Sequence, residues 1–129
     1  MKVLDTTFLI DLLRGKNIAV LDYIKKNKDL VTTQINMFEV IRGLFLKNVS
    51  PSRFYKSLAM FENIRVLSLD NSALIKSAEV SANLIKKGKE IHDNDCLIAG
   101  IALSKGIKTI VTKNVKHFEN IKDLRVENY

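Results

Sequence analysis

The sequence predicts an α/β fold, with a short, mostly parallel central sheet of about five strands and helices packed on both faces. Three observations point there. Short β-branched segments alternate along the chain with longer segments whose apolar residues recur at helical spacing. Nearly every short segment is apolar throughout, as strands covered on both faces should be. The 129 residues, 47% hydrophobic with one Pro and five Gly, carry no internal repeat or linker. A single domain over residues 1–129 can therefore bury its own core.

In order, "KVL" at 2–4 is the first strand. "TFLIDLLRGK" then carries helical spacing until Gly15 stops it. "AVLDYIKKN" reads as a second helix, and "LVTT" at 30–33 is short and β-branched, hence a strand. "INMFEVIRGLFLKN" is helical, with Ile35, Phe38, Ile41, Leu44 and Phe45 expected on one side. Ser50-Pro51 makes a break, with Pro51 starting the helix that continues through "SRFYKSLAMFEN". "IRVLSL" is strand-like. A long helix comes next over 70–89, with Asp70 or Asn71 as its N-cap and Gly88 near its end. "DNDCLIAGIALSKG" is the next helix, "TIVT" at 109–112 the strand expected to be most buried, and "LRVEN" the last strand.

The net charge of +7 favours a polyanionic partner, RNA or DNA, although the 21 Lys and Arg are scattered along the chain. One cysteine, Cys96, can form neither an internal disulfide nor a cysteine zinc cluster. A reducing, cytoplasmic compartment is expected, with Cys96 packed as a small core residue. Asp5 and Asp11 interrupt the first apolar stretch too early for a signal peptide. No uncharged run approaches the roughly 20 residues that span a bilayer, so no membrane association is expected.

Ligands of parallel sheets sit outside the carboxyl ends of the strands, so the residues just after each strand matter most. Asp5 stands directly after the first strand, with Thr6 and Thr7 beside it, and Glu39 lies in the first turns after the second. Asp93 and Asp95 open the helix that feeds the fourth strand, which ends at Thr112, Lys113 and Asn114. Oxygen ligands thus gather at one edge from four separated places. Carboxylates sharing a cleft repel, and keeping them ionised requires cations. An oxygen-only set suits Mg²⁺ or Mn²⁺.

Each acid also has a plainer reading. Asp5 and Asp93 are good helix caps, Glu39 could be an exposed helical glutamate, and Asp95 could answer the helix dipole. Two helical positions two apart point about 200° from one another, so one of Asp93 and Asp95 should lie in the preceding loop or look elsewhere. His92 and His117 are far apart in sequence and lack a partnered nucleophile. "RGK" and "KKGK" lack Walker spacing, and the helical serines lack a nucleophile elbow.

Four segments, in order, resemble PIN-domain ribonucleases, particularly VapC-type toxins. They are "VLDTTFLIDLLRG", "MFEVIRG", "DNDCLIAGIAL" and "IVTKNVKHFENI", with "LRVENY" similar to the terminal strand. The resemblance spans nearly all of residues 2–128. It implies a three-layer PIN-like fold and metal-dependent endonucleolytic hydrolysis of RNA. Asp5, Glu39 and Asp95 would be the metal ligands, with Asp93 an auxiliary acid. Thr112 and Asn114 would position water or ligate, and Thr6 would support the site. Asn114 stands where some members carry a fourth Asp, which weakens any second metal site. Arg14, Lys16, Arg42, Lys113 and Lys116 are the candidates for RNA phosphates near that edge. The resemblance further implies a small antitoxin partner and a homodimer. Two alternatives remain: a housekeeping PIN nuclease without an antitoxin, and a non-catalytic Mg²⁺-binding receiver-like module.

Overall fold

A computed structural model describes residues 1–129. Five strands form one sheet, all parallel, in the order β3-β2-β1-β4-β5. They are β1 (Lys2–Leu4), β2 (Leu30–Thr33), β3 (Arg65–Leu67), β4 (Thr109–Val111) and β5 (Arg125–Glu127). Seven helices connect them: α1 (Thr6–Arg14), α2 (Ile18–Lys26), α3 (Gln34–Leu46), α4 (Pro51–Met60), α5 (Asn71–Lys86), α6 (Asp93–Ser104) and the short α7 (Val115–Phe118). The fold is the expected three-layer α/β arrangement, with no antiparallel strand. Its order is not the 2-1-3-4-5 of a receiver domain. β3, which should then carry the phosphoacceptor, is an edge strand here. The nearby Asp70 caps α5 through the Ala73 amide and pairs with Lys105.

The strand period of two sorts the central residues into two cores. Val3 pairs in register with Ile110 and Leu4 with Val111. Val3 and Ile110 pack beneath α5, α6 and the segment after α7, while Leu4 and Val111 pack with Phe8, Leu9, Val40 and Leu44 on the other face. Cys96 is buried in the first of these cores. Local stops are as expected: Gly15 ends α1 at φ +67°, and Ser50 caps α4 through the Arg53 amide.

One expectation is corrected. The buried line of α3 is Asn36, Val40 and Leu44. Ile35 and Ile41 are half-buried, and Phe38 and Phe45 are 54% and 65% exposed. The helix turns a polar residue toward the sheet edge and leaves two aromatics outside, because that face serves the site as well as the core. The segment after β4, to which the sequence assigns no element, contains α7, whose Phe118 is fully buried.

Helices α5 and α6 approach so closely that Gly100 has no room for a side chain. A Cβ there would lie 1.9 Å from Ser77 Oγ and 2.6 Å from Ser77 Cα and N. The last two contacts are with backbone, so no rotamer change relieves them. Gly100→Ala must therefore separate the helix that carries Asp95 from its neighbour. The expected loss is about 2 kcal/mol or more, measured as a lower urea midpoint at unchanged slope. A midpoint equal to wild type would show that α5 yields freely.

Candidate active site

The parallel strands deliver their carboxyl ends to one polar cleft of about 520 Å³. It is lined by Asp5, Thr6, Thr7, Glu39, Arg42, His92, Asp93, Asn94, Asp95, Asn114 and His117, with no hydrophobic residue among them. The four acids expected from sequence therefore share one space.

Asp5 stands at the junction of β1 and α1. It occupies the N-cap position of α1, but its side chain makes no capping bond. Instead, Thr112 donates to Oδ2 at 2.7 Å and Asn36 to Oδ1 at 3.0 Å. The chain itself is tied down by the Asp5 amide, which donates to the Val111 carbonyl. Burial pushes the Asp5 carboxyl above the ordinary range, the Thr112 and Asn36 bonds oppose that shift, and Glu39 adds to it. Glu39, one turn along α3 from Asn36, receives the Thr6 hydroxyl at 2.7 Å. Its other oxygen is 4.0 Å from Arg42, whose guanidinium lies over the Phe38 ring.

Both acids of the "DND" segment are helical. His92 takes the N-cap position of α6 without a side-chain bond, so Asp93 is not the cap. The angular argument is met by divergence: Asp95 is buried, and Asp93 lies at the exposed rim. His117 Nδ1 lies 3.1 Å from Asp95 Oδ2. Burial is the main reason the Asp95 carboxyl is pushed up to about 6. His117 and His92 pull against this, while Asp5 and Glu39 push further.

The remaining sequence candidates fall in different places around this cleft. Thr112 is fully buried, and its hydroxyl donates to Asp5 while accepting the Asn114 amide at 2.9 Å. Lys113 is paired with Asp11 at 3.0 Å, and Tyr129 donates to the same carboxylate at 2.8 Å. Arg42 lines the acid cleft, and Lys116 borders an adjoining depression with His92, Asp95 and His117. Arg14 and Lys16 line a different hollow, with Arg53.

Sequence reasoning missed His117 and Asn36. The histidines are distant in sequence, yet their rings come within 6.2 Å. Asn36 had one available signal, an amide on the apolar line of a helix, three residues before Glu39.

No three carboxylate, imidazole or thiol groups already meet at one point. Asp5, Glu39 and Asp95 nevertheless retain carboxylate lone pairs beyond the bonds described, and every buried side-chain polar atom is partnered. An oxygen-rich, mostly acidic donor set of this kind fits a hard divalent cation.

An all-parallel sheet with acids from the β1–α1 junction, α3 and α6 at its carboxyl edge defines the class of a PIN-type nuclease. The chain belongs to the PIN-domain family, whose model matches residues 2–124, and within it is of VapC type. The tRNA(fMet)-specific endonuclease VapC of Salmonella typhimurium is 30% identical over 132 residues, covering 98% of this chain and 96% of the relative. Ribonuclease VapC1 of Haemophilus influenzae is 27% identical over 130 residues at the same coverage. Among solved structures, the DNA-bound VapBC of Salmonella typhimurium has a TM-score of 0.81 at 29% identity, covering 98% of this chain and 96% of that one. VapBC2 of Rickettsia felis, bound to a promoter fragment, reaches 0.87 at 23% identity, covering 99% and 98%. That last likeness concerns the fold.

The raised acids fix a pH dependence for the cation-free chain. Asp95 binds its proton more tightly folded than unfolded, so its contribution is most favourable below about pH 4 and is lost as pH rises through about 6. Asp95→Asn removes that loss. In EDTA at pH 7.5 its thermal midpoint should exceed wild type by roughly 3–6 °C, and the difference should vanish near pH 4. An unchanged or lower midpoint at pH 7.5 would contradict this account of the site.

Proposed function

We propose that this chain is a divalent-cation-dependent endoribonuclease, the toxin of a toxin–antitoxin pair. The observation that carries the reading is the convergence of Asp5, Glu39 and Asp95, from the β1–α1 junction, α3 and α6, in one polar cleft. Support for RNA as substrate comes from the relatives named VapC ribonuclease or endonuclease. Support for an antitoxin comes from the VapBC complexes among the similar structures. A homodimer and a cytoplasmic location belong to the same proposal; no helix is long and apolar enough to cross a membrane.

Asp5, Glu39 and Asp95 would hold Mg²⁺ or Mn²⁺, with Asp93 and Asn114 at the rim as auxiliary oxygen donors. Such a cation supplies Lewis acidity toward the phosphate and an activated water for in-line attack. His117 orients the Asp95 carboxylate, and Thr112 does the same for Asp5. Arg42 stands at the rim, where it can meet a phosphate oxygen, and Lys116 lies on the adjoining path for the flanking strand. With Lys113 held by Asp11, Arg42 and Lys116 are the proposed phosphate contacts nearest the acids, and Arg14 and Lys16 could serve only a more distant part of the RNA.

The test is cleavage of tRNA(fMet) and of total RNA with Mn²⁺, Mg²⁺ or EDTA. Asp95→Asn should lower the rate at least about 100-fold, as loss of a metal ligand does. Asp93→Asn should cost about tenfold or less, and EDTA should abolish cleavage. Full activity of Asp95→Asn, or cleavage insensitive to EDTA, would overturn the assignment.

A further inference from the structure

We infer that Asn36 is a positioning residue for the cation site, setting the spacing of Asp5 and Glu39 through a one-way chain of hydrogen bonds. The inference rests on the proposed cation site and goes a step past it, to a residue outside the ligand set. Asn36 is fully buried, and each polar atom of its carboxamide is used. Its Oδ1 accepts from Thr33 Oγ1 at 2.7 Å. Its Nδ2 donates to Asp5 Oδ1 at 3.0 Å and to Thr6 Oγ1 at 3.1 Å. Thr6 Oγ1 in turn donates to Glu39 Oε1 at 2.7 Å.

These bonds fix a direction. Thr33 donates to Asn36, Asn36 to Asp5 and Thr6, and Thr6 to Glu39. Turning the amide over would set its oxygen against the Asp5 carboxylate and leave Thr6 without a donor, so the network admits one orientation. Every hydrogen therefore runs toward the two acids. A carboxamide provides the required one acceptor and two donors in a single planar group. Aspartate would bring a further negative charge against Asp5, and serine is too short to reach both partners.

The backbone places the amide just as firmly. Thr33 is the N-cap of α3, accepting the Asn36 amide at 3.2 Å, so β2 delivers the first turn of the helix at a set angle. Asn36 and Glu39, three residues apart, then lie on the same helical face. The amide thus holds Asp5 directly and Glu39 through Thr6, each by its Oδ1 or Oε1, leaving the remaining lone pairs of both acids for a cation. It holds apart two carboxylates that burial and like charge would otherwise drive into other rotamers.

The test compares wild type with Asn36→Leu, close in volume but without donors, and Asn36→Ser. Asp5→Asn is the reference for losing the cation. Mn²⁺ affinity is read by isothermal titration calorimetry without RNA, beside kcat and KM across a Mn²⁺ series. The expected result is affinity weaker by about 10–100-fold. Saturating Mn²⁺ should restore kcat toward wild type, with KM for RNA within about twofold. A folded Asn36 variant that binds Mn²⁺ like wild type overturns the inference, as does a loss of kcat that saturating Mn²⁺ cannot recover. Should both variants fail to fold, Thr6→Val cuts the same chain at a less buried point: weaker Mn²⁺ binding supports the inference, and unchanged binding overturns it. If Asp5→Asn itself binds Mn²⁺ normally, the cation site has failed instead, and the two failures are thereby distinguished.

Discussion

The structure at the sheet edge is organised around one unfavourable interaction, the mutual repulsion of Asp5, Glu39 and Asp95 in a cleft that two of them enter almost wholly buried. Burial alone makes an ionised carboxylate costly, and each neighbour of like charge raises the cost. Around these groups the chain places neutral or convertible donors, namely Thr112 and Asn36 on Asp5, Thr6 on Glu39 and His117 on Asp95. Such donors steady the carboxylates without cancelling their charge. Only Arg42 brings a permanent cation into the cleft, at the loose distance of 4.0 Å from Glu39. The result is a set of acids held in position and electrostatically unsatisfied.

The rest of the fold serves that condition. The short parallel strands bring the ends of β1, β2 and β4 side by side, and Thr112, which donates to Asp5, and Thr33, which donates to Asn36, lie within a residue of strand ends. The close α5–α6 packing at Gly100 fixes the helix that carries Asp95. On the other side of Asp5, Tyr129 and Lys113 converge on Asp11. Against the cost of burial, they hold that carboxylate below its usual range. This ties the last residue of the chain to α1 and to the turn bearing Asn114.

Much of this was legible in the sequence, because short β-branched strands and helical apolar spacing are local signals. Asp5, Glu39 and Asp95 could be found by looking just past the carboxyl end of a strand or at the mouth of a helix. Other features depended on contacts across the fold. The apolar tally along α3 pointed to Phe38 and Phe45, but the buried face is chosen by what the helix meets, and there it meets Asp5 as well as the core. His117 gained its meaning only when α7 folded against the start of α6. Lys113, a phosphate candidate in the sequence, pairs with Asp11, a partner that its position along the chain does not reveal. Asp93 and Asp95, alike in sequence, were separated by the rotation of the helix that carries both.

If unsatisfied acid repulsion is the feature around which the site is built, a divalent cation should stabilise the folded chain itself, without RNA. The most direct measurement is the thermal midpoint of the wild type titrated with Mn²⁺, beside the Asp5→Asn, Glu39→Gln double variant. The account predicts a wild-type midpoint that climbs steadily with Mn²⁺ concentration, as binding to the native state alone requires. The double variant should begin higher in EDTA and respond little. A wild-type midpoint indifferent to Mn²⁺, or a double variant that responds equally, would contradict it.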